Sequence, residues 1–508
     1  AVFFIEKIME QRKMGERDAF KSRLGFLLVS AGCAIGIGNV WKFPYVVGQN
    51  GGGLFVLIYL FFLVILGIPV LTMEFSIGRA AQKSPAKMYE QLEPKGSKWH
   101  LHGKVSLIGC YLLMMFYTTV AGWMLKFFVS TASGEIVGMD TAAVENHFNV
   151  DVLGDPVSLI VYMGIVVAIG VAVCLIGVQN GLEKVTKIMM LALLAIMVVL
   201  AVNSFTLPGG AEGLSFYLMP DLSVIEKVGI TNILVSAMNQ AFFTLSIGMG
   251  SMAIFGSYIG KDRSLLGESV NVALLDTFVA VASGLIIFPA CSAYGVDVTS
   301  GPKLLFITLP NIFNNIPLGR LWGSLFFVFM SFAALSTVIA VFENIISISI
   351  DMFGWKRKKS LIINLIGISV LSLPAVLGFN VLSGITPMGA GTNIMDLEDF
   401  LVSGNILPLG SLLFVLFCTR KNGWGFENFV AEADNGIGKP FPQYLRKYMS
   451  YVLPLIIVVI YFKGYYDTFA PKGPKLLCIW MGVAALFVLF IGYLAFGHGR
   501  SRREQTKE

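Results

Sequence analysis

The sequence predicts an all-α polytopic membrane protein with about twelve transmembrane helices. Apolar residues make up 56% of the 508 residues, and charged residues make up only 13%, whereas a soluble globular chain has about 25% charged residues. The mean hydropathy is +0.76. Apolar runs of about 18 residues or more, which is the length that a helix needs to cross a bilayer, recur along the whole sequence.

We predict twelve membrane spans, which are numbered one to twelve in chain order. Their approximate ranges are 22–46, 52–79, 104–131, 157–176, 182–204, 228–259, 266–295, 318–352, 360–381, 397–419, 446–465 and 475–497. Residues 1–21 and 498–508 are then short terminal tails.

Basic residues occur in alternate loops, and this pattern predicts the orientation. The loop after span two is rich in lysine, and the loop after span eight contains Lys356–Lys359, whereas residues 132–156 contain no Lys or Arg. Because Lys and Arg favour the cytoplasmic side, we expect a multi-pass protein of the plasma membrane with both termini in the cytoplasm. The net charge of +6 then belongs to cytoplasmic loops and does not indicate a nucleic-acid partner.

The polar residues of the spans do not resemble an enzyme's active site. The six cysteines and four histidines are scattered without metal-ligand or disulfide spacing. The few charged residues within the spans form no nucleophile–base pair. The sequence therefore predicts no transition-metal centre, no organic cofactor and no enzymatic activity.

Two spans contain glycine clusters that predict an interrupted helix. Residues 28–44 read LVSAGCAIGIGNVWKFP, and residues 239–251 read NQAFFTLSIGMGS. Unwound backbone at membrane depth is tolerated only where it is buried in protein or lines a cavity. Broken spans one and six would each open a five-span block, 22–204 and 228–419, leaving 446–497 peripheral. This pattern is typical of a 5+5 inverted-repeat transporter, although small residues also occur where helices pack closely.

Three segments resemble signature sequences of the neurotransmitter:sodium symporter family. They are GIGNVWKFPYVVGQNGGGLFVLIYLFFLVILGIPVLTMEFSIGR, GLSFYLMPD before span six, and FFTLSIGMGSMAIFGSYIGKD within it. The similarity extends from about Arg17 to at least Asp399. The resemblance implies a bacterial-type sodium-coupled symporter of amino acids that works by alternating access.

The resemblance implies two sodium sites. The first would use the carbonyl of Ala34 and the side chains of Asn39, Thr244 and Asp276. The second would use backbone carbonyls and two hydroxyls, from Gly32, Ile35, Ala333, Ser336 and Thr337. Oxygen ligands of these kinds suit a hard cation. Without the resemblance, Ser336 and Thr337 would be expected to bond back to their own helix.

Asp276 stands where many relatives have a neutral Asn. The chloride-dependent relatives bind an anion nearby, and Tyr59, Gln240 and Ser246 are residue types of that chloride site. A fixed carboxylate can supply the same negative charge. We therefore expect no chloride requirement.

The resemblance also implies a class of substrate. Amine-transporting relatives have an Asp where this chain has Gly36, so a substrate with its own carboxylate is favoured, and Tyr117 matches the tyrosine that bonds it. The other predicted pocket residues are mostly apolar, which favours a hydrophobic, aromatic or branched amino acid. The full predicted set is Ala34, Gly36, Ile37, Gly38, Leu113, Tyr117, Phe243, Ser246, Met249, Thr337 and Val341.

Two charged pairs match the gates of the family. Lys42 and Asp399 would form the outer gate, and a lysine cannot make the bidentate contact of the usual arginine. Arg17 and Asp351 would form the cytoplasmic gate, with Tyr258 nearby.

Spans two and five each contain a further position of interest. Glu74 is an ionisable residue within a span, which indicates function. We expect it to accept hydrogen bonds from the freed amides of span six. The alternative is an interfacial position near Arg79. Span five has Gly181 but Leu191 where the family often has a proline, which weakens the case for unwinding of this span during inward opening.

Several alternatives remain open from the sequence. Protons acting through Asp276 or Glu74 could replace sodium, and the cargo could be an amine or an organic acid. An ion channel is a more remote alternative. Membrane lipid and a small-molecule amino acid are the expected partners, and the chain could be a monomer or a homodimer.

Overall fold

The computed structural model describes residues 20–295 and 304–497, and these residues are almost entirely helical. Ten helices among them are long and apolar enough to cross a membrane. They correspond to spans two to five and seven to twelve. Their ranges are Gly53–Ala81, Leu101–Ser133, Pro156–Leu175, Val178–Phe205, Leu265–Ala293, Gly319–Phe353, Arg357–Leu377, Ile394–Thr419, Gln443–Lys472 and Pro474–Phe496.

Spans one and six are both broken, as the glycine clusters predict. Span one consists of Arg23–Ala34 and Gly38–Gln49, which are bent by 57° relative to each other. Span six consists of Ile230–Thr244 and the short helix Ser251–Gly256. Counting the bent pair as one span gives eleven candidate spans in the described residues. Span six, whose longer half is Ile230–Thr244, is the twelfth span that the sequence predicts.

The break in span six depends on glycine. Gly248 and Gly250 have φ values of +98° and +89°, a region that side chains with a Cβ rarely adopt. A Cβ on Gly248 would lie 2.0 Å from the carbonyl oxygen of Leu407 in span ten. Span ten therefore crosses the break at backbone contact distance, and both the conformation and the approach require glycine.

Short helices connect the spans on both sides of the bundle. They are Pro85–Leu92, Thr141–Asn146, Gly210–Leu218, Val224–Val228, Leu309–Asn314 and Phe426–Ala433. Arg79, at the end of span two, is fully buried; it pairs with Glu432 at 2.6 Å and donates to the carbonyl oxygen of Arg263 at 2.7 Å. This arginine ties span two to the loop after span six and to the helix after span ten.

Burial differs strongly between the spans. In span eight, 78% of the most apolar 18-residue window is buried within the protein, whereas in span twelve the share is 11%. Span eight therefore lies at the centre of the bundle and span twelve at its lipid-facing edge.

We predict that Gly248→Ala prevents formation of the native structure, because the added methyl group meets backbone and the φ value is unfavourable. Fluorescence-detected size-exclusion chromatography would show aggregated protein in place of a monodisperse peak. Gly367→Ala in span nine is the matched control, since a methyl group added there would meet nothing within 4 Å. The steric explanation is wrong if Gly248→Ala gives as much monodisperse protein as Gly367→Ala.

Candidate functional site

A buried polar cluster joins spans one, six and seven at the breaks. The side-chain amide nitrogen of Asn39 donates to Asp276 Oδ1 at 2.7 Å and to Thr244 Oγ1 at 3.0 Å. Thr244 Oγ1 in turn donates to Asp276 Oδ2 at 2.7 Å. All three side chains are fully buried. The structure thus brings together the three side chains expected at the first sodium site.

A second cluster joins span eight to the break in span one. Ser336 Oγ donates to the carbonyl oxygens of Ala333 at 2.9 Å and Ile35 at 3.4 Å. Thr337 Oγ1 donates to the carbonyl oxygen of Gly32 at 3.4 Å. The five groups expected at the second sodium site are therefore neighbours, and every one of them offers an oxygen, which is the ligand type that hard cations prefer.

The tyrosine of span three reaches the same break. The hydroxyl of Tyr117 accepts a hydrogen bond from the Ile37 amide at 2.9 Å. A Cβ on Gly36 would lie 2.3 Å from Tyr117 Oη and 2.8 Å from Thr337 Oγ1. A larger residue at position 36 would displace both hydroxyls, so the glycine is needed for this arrangement.

Glu74 supports the break in span six. Its Oε2 accepts from the Gly248 amide at 3.0 Å, and its Oε1 accepts from the Met252 amide at 3.1 Å. The side chain is fully buried, and Arg79 pairs with Glu432 instead. Glu74 therefore satisfies amides that the break releases, which is the contact expected of it from the sequence.

The apolar residues expected around the substrate lie on the spans that surround the breaks. Ile37, Leu113, Met249 and Val341 are all buried. Gly109 lies on span three, one turn before Leu113. Met249 Cγ lies 3.6 Å from the position that a Cβ on Gly109 would take, so Met249 packs against span three. Ser246 has a φ of +50°, which is unusual for a residue with a side chain, and its hydroxyl donates to the Cys33 carbonyl oxygen at 3.3 Å.

A cavity of about 570 Å³ lies above the breaks at one end of the bundle. Lys42, Phe243 and Asp399 line it. The Lys42 ammonium lies 3.8 Å from the centroid of the Phe243 ring, and Asp399 accepts from Ser403 Oγ at 2.6 Å. In the described residues, Lys42 and Asp399 thus face one cavity without forming an ion pair with each other.

Hydrogen bonds connect several spans at the opposite end of the bundle. Tyr258 Oη donates to Glu343 Oε1 at 3.1 Å, and Arg357 Nη1 donates to the same oxygen at 3.1 Å. The Phe20 amide donates to the Tyr258 carbonyl oxygen at 3.2 Å. Asp351, expected to face Arg17, accepts from the Ser84 amide at 2.7 Å. Arg17 itself lies outside the described residues.

Sequence reasoning missed the ion pair between the buried Glu343 and the partly exposed Arg357. It also missed Glu183, which accepts from the Lys21 amide at 2.6 Å and from Ser22 Oγ at 2.8 Å, at the start of span one. These carboxylates do have a sequence signal, because an ionisable residue within or beside an apolar span is uncommon without a partner or a function. The sequence does not show which residues these two carboxylates contact.

Glu398 of span ten is a buried carboxylate of a different kind. It is 3% exposed, and neither of its carboxylate oxygens has a hydrogen-bond partner within the described residues. Burying a polar group without a partner is unfavourable. We therefore expect Glu398 to lower the stability of this conformation.

The fold and the site define a polytopic membrane protein whose two broken spans meet at buried clusters of side-chain and carbonyl oxygens. The model of the Sodium:neurotransmitter symporter family matches residues 17–147 and 140–491. The chain belongs to this family of sodium-dependent transporters.

The comparisons extend to curated relatives and to a solved structure. An uncharacterized sodium-dependent transporter of Bacillus subtilis is 34% identical over 442 residues, which cover 87% of this chain and 96% of the relative. A sodium- and chloride-dependent taurine transporter of Canis lupus familiaris is 24% identical over 494 residues, covering 88% of this chain and 78% of the relative. The crystal structure of MhsT in complex with L-phenylalanine is 35% identical with a TM-score of 0.79, covering 88% of this chain and 99% of MhsT.

We predict that Glu398→Leu raises the melting temperature of the purified protein, because it removes an unpaired buried carboxylate. The expected gain is about 1–3 kcal/mol. Glu343→Leu is the matched control and should lower the melting temperature, since it removes the carboxylate that pairs with the Arg357 guanidinium. Equal destabilisation by the two variants, measured in the same detergent, would contradict the assignment of Glu398 as unpaired.

Proposed function

We propose that the protein is a sodium-coupled symporter of a hydrophobic amino acid with an aromatic or branched side chain. The observation that carries the proposal is the contact between Tyr117 and the Ile37 amide at the break in span one. Gly36 carries no carboxylate at the position where amine-transporting relatives have an Asp, and the Tyr117 hydroxyl and the amides of the break offer hydrogen-bond donors to an anionic group. The complex of MhsT with L-phenylalanine supports this class of substrate.

The substrate's two charged groups have separate partners in this proposal. Its carboxylate takes hydrogen bonds from the Tyr117 hydroxyl and from amides at the break, where a helix N-terminus favours an anion. Its ammonium meets carbonyl oxygens freed near Ala34, Phe243 and Ser246. Its side chain lies against the buried apolar residues Leu113 and Met249.

In this proposal, sodium ions bind at the site and are transported together with the substrate. Asn39, Thr244 and Asp276 would hold one ion with the Ala34 carbonyl, and the hydroxyls of Ser336 and Thr337 would hold a second one with backbone carbonyls. A substrate carboxylate beside the first ion would stabilise it and be stabilised by it. Because such coupling is reciprocal, each ligand raises the affinity for the other.

Alternating access fits the asymmetry between the two ends of the bundle. The cavity at Lys42 and Asp399 leads towards the breaks, whereas Tyr258 and Glu343 close the other end. With both termini in the cytoplasm of a plasma-membrane protein, as the basic loops favour, this conformation faces outward. Closure of the outer gate would bring Lys42 and Asp399 together before the inner end opens.

The first experiment is a thermal-shift screen of the purified protein with the twenty amino acids, several amines and aromatic acids, each in sodium and in choline salt. We expect stabilisation by large hydrophobic amino acids in sodium only. At a ligand concentration of about 100 times the dissociation constant, linkage gives about 2.7 kcal/mol. If the stabilisation does not depend on sodium but varies with pH, the coupling ion is the proton and not sodium. If only amines stabilise the protein, the proposed class of substrate is refuted.

A second experiment addresses the charge of Asp276. We propose that its carboxylate makes chloride unnecessary, so Asp276→Asn should weaken sodium-dependent substrate binding or make it depend on chloride. The measurement is substrate affinity in sodium chloride and in sodium gluconate, with Asp221→Asn at an exposed loop position as the control. Normal, chloride-insensitive binding by the Asp276→Asn variant would refute this role.

A further inference from the structure

A group of cations lies at one membrane end of the bundle, where span ten ends, span eleven begins and span twelve ends. These residues lie at the edge of the bundle, and we call them the basic rim. They are Lys98, Arg420, Lys421 and Lys447. Lys98 comes from the loop after span two, and its ammonium lies 4.7 Å from the centroid of the Tyr493 ring in span twelve.

Arg420 occupies the centre of the basic rim. Its guanidinium carbon lies 5.6 Å from the centroid of the Tyr451 ring and 5.3 Å from the centroid of the Phe496 ring. Its Nη2 donates to the Ser450 carbonyl oxygen at 3.4 Å, and its buried Nε has no partner in the described residues. One arginine of span ten thus contacts both peripheral spans through aromatic rings and backbone.

The charges of the basic rim have few acidic neighbours in the part of the chain that the structure describes. Within the described residues, no carboxylate forms an ion pair with Arg420, Lys421 or Lys447, whereas the neighbouring Arg446 pairs with Glu427 at 2.7 Å. One side-chain-to-backbone hydrogen bond connects two parts of the rim. The Trp99 indole nitrogen donates to the Asn422 carbonyl oxygen at 2.8 Å, which fixes the Lys98 loop beside the end of span ten. Uncompensated positive charge in a fixed arrangement attracts an anion.

The surface beside the basic rim is apolar and exposed. Tyr451 and Phe496 are each 66% exposed, and Leu455, one turn further along span eleven, is 64% exposed. Aromatic rings at the ends of spans mark the depth of the lipid headgroups. An anion with hydrocarbon chains at this depth can bind the cations of the basic rim and the apolar side chains beside them at the same time.

We propose that the basic rim binds the phosphate headgroup of an anionic phospholipid. The phosphate would lie among Arg420, Lys421 and Lys447, and an acyl chain would lie along Tyr451 and Leu455. A free phosphate ion would leave these apolar side chains unused. The bound lipid links the end of span ten to the peripheral spans eleven and twelve, so it stabilises their packing on the rest of the bundle.

The test measures binding of phosphatidylglycerol to the purified full chain by native mass spectrometry and by the shift in melting temperature. Lys421→Gln/Lys447→Gln is compared with Lys227→Gln/Lys475→Gln, two exposed lysines at the opposite end of the bundle. A juxtamembrane lysine contributes about 1 kcal/mol to binding of anionic lipid, which is about a fivefold change in affinity. We expect the rim variant to bind phosphatidylglycerol about 30-fold more weakly if the two effects add, with the control variant unchanged.

Two further arms separate lipid from other ligands. Phosphatidylcholine has the same chains without net charge, and it should bind the wild-type and rim variant equally. Inorganic phosphate has the charge without the chains, and it should not shift the melting temperature. The proposal is refuted if the rim and control variants lose phosphatidylglycerol equally, if neither loses it, or if inorganic phosphate reproduces the full shift.

Discussion

The breaks in spans one and six impose the main constraint on this structure. Inside a bilayer, every backbone amide and carbonyl that leaves a helix needs a partner from the protein or from a bound ligand. The protein supplies partners from neighbouring spans: Tyr117 accepts from the Ile37 amide, and Glu74 accepts from the amides of Gly248 and Met252. Spans two, three and eight are therefore held against the breaks by hydrogen bonds as well as by apolar packing.

The same groups that stabilise the breaks are suited to exchange partners with a ligand. The hydroxyls of Ser336 and Thr337 donate to the carbonyls of Ile35 and Gly32, and a sodium ion could take over those carbonyls while accepting the hydroxyl oxygens as ligands. Glu74 differs, since both of its oxygens are engaged by the span-six backbone. On our proposal, the hydroxyls of Ser336 and Thr337 and the carbonyls beside them bind the transported sodium ion, whereas Glu74 keeps its hydrogen bonds throughout.

Much of this arrangement could be predicted from the sequence because local chemistry determines it. Glycine clusters indicate where helices break, and the breaks then occur in spans one and six with the expected polar residues around them. The partners of Glu343 and Glu183 could not be predicted, since they depend on how the ends of different spans pack against each other. The arrangement of Lys42 could not be predicted either, because it depends on conformation: the ammonium contacts the Phe243 ring and, within the described residues, forms no ion pair with Asp399.

On our proposal, Lys42 connects the outer gate to the buried site. Phe243 immediately precedes Thr244, whose hydroxyl donates to Asp276, and its ring lies under the Lys42 ammonium. Lys42 follows Asn39 by one turn of span one, so the cation and the amide that contacts Asp276 belong to the same short helical segment. On our proposal, a movement of this segment that brings Lys42 towards Asp399 would also move Asn39 relative to Thr244 and Asp276. Occupation of the buried cluster and closure of the proposed gate would then be linked through the half of span one that follows the break.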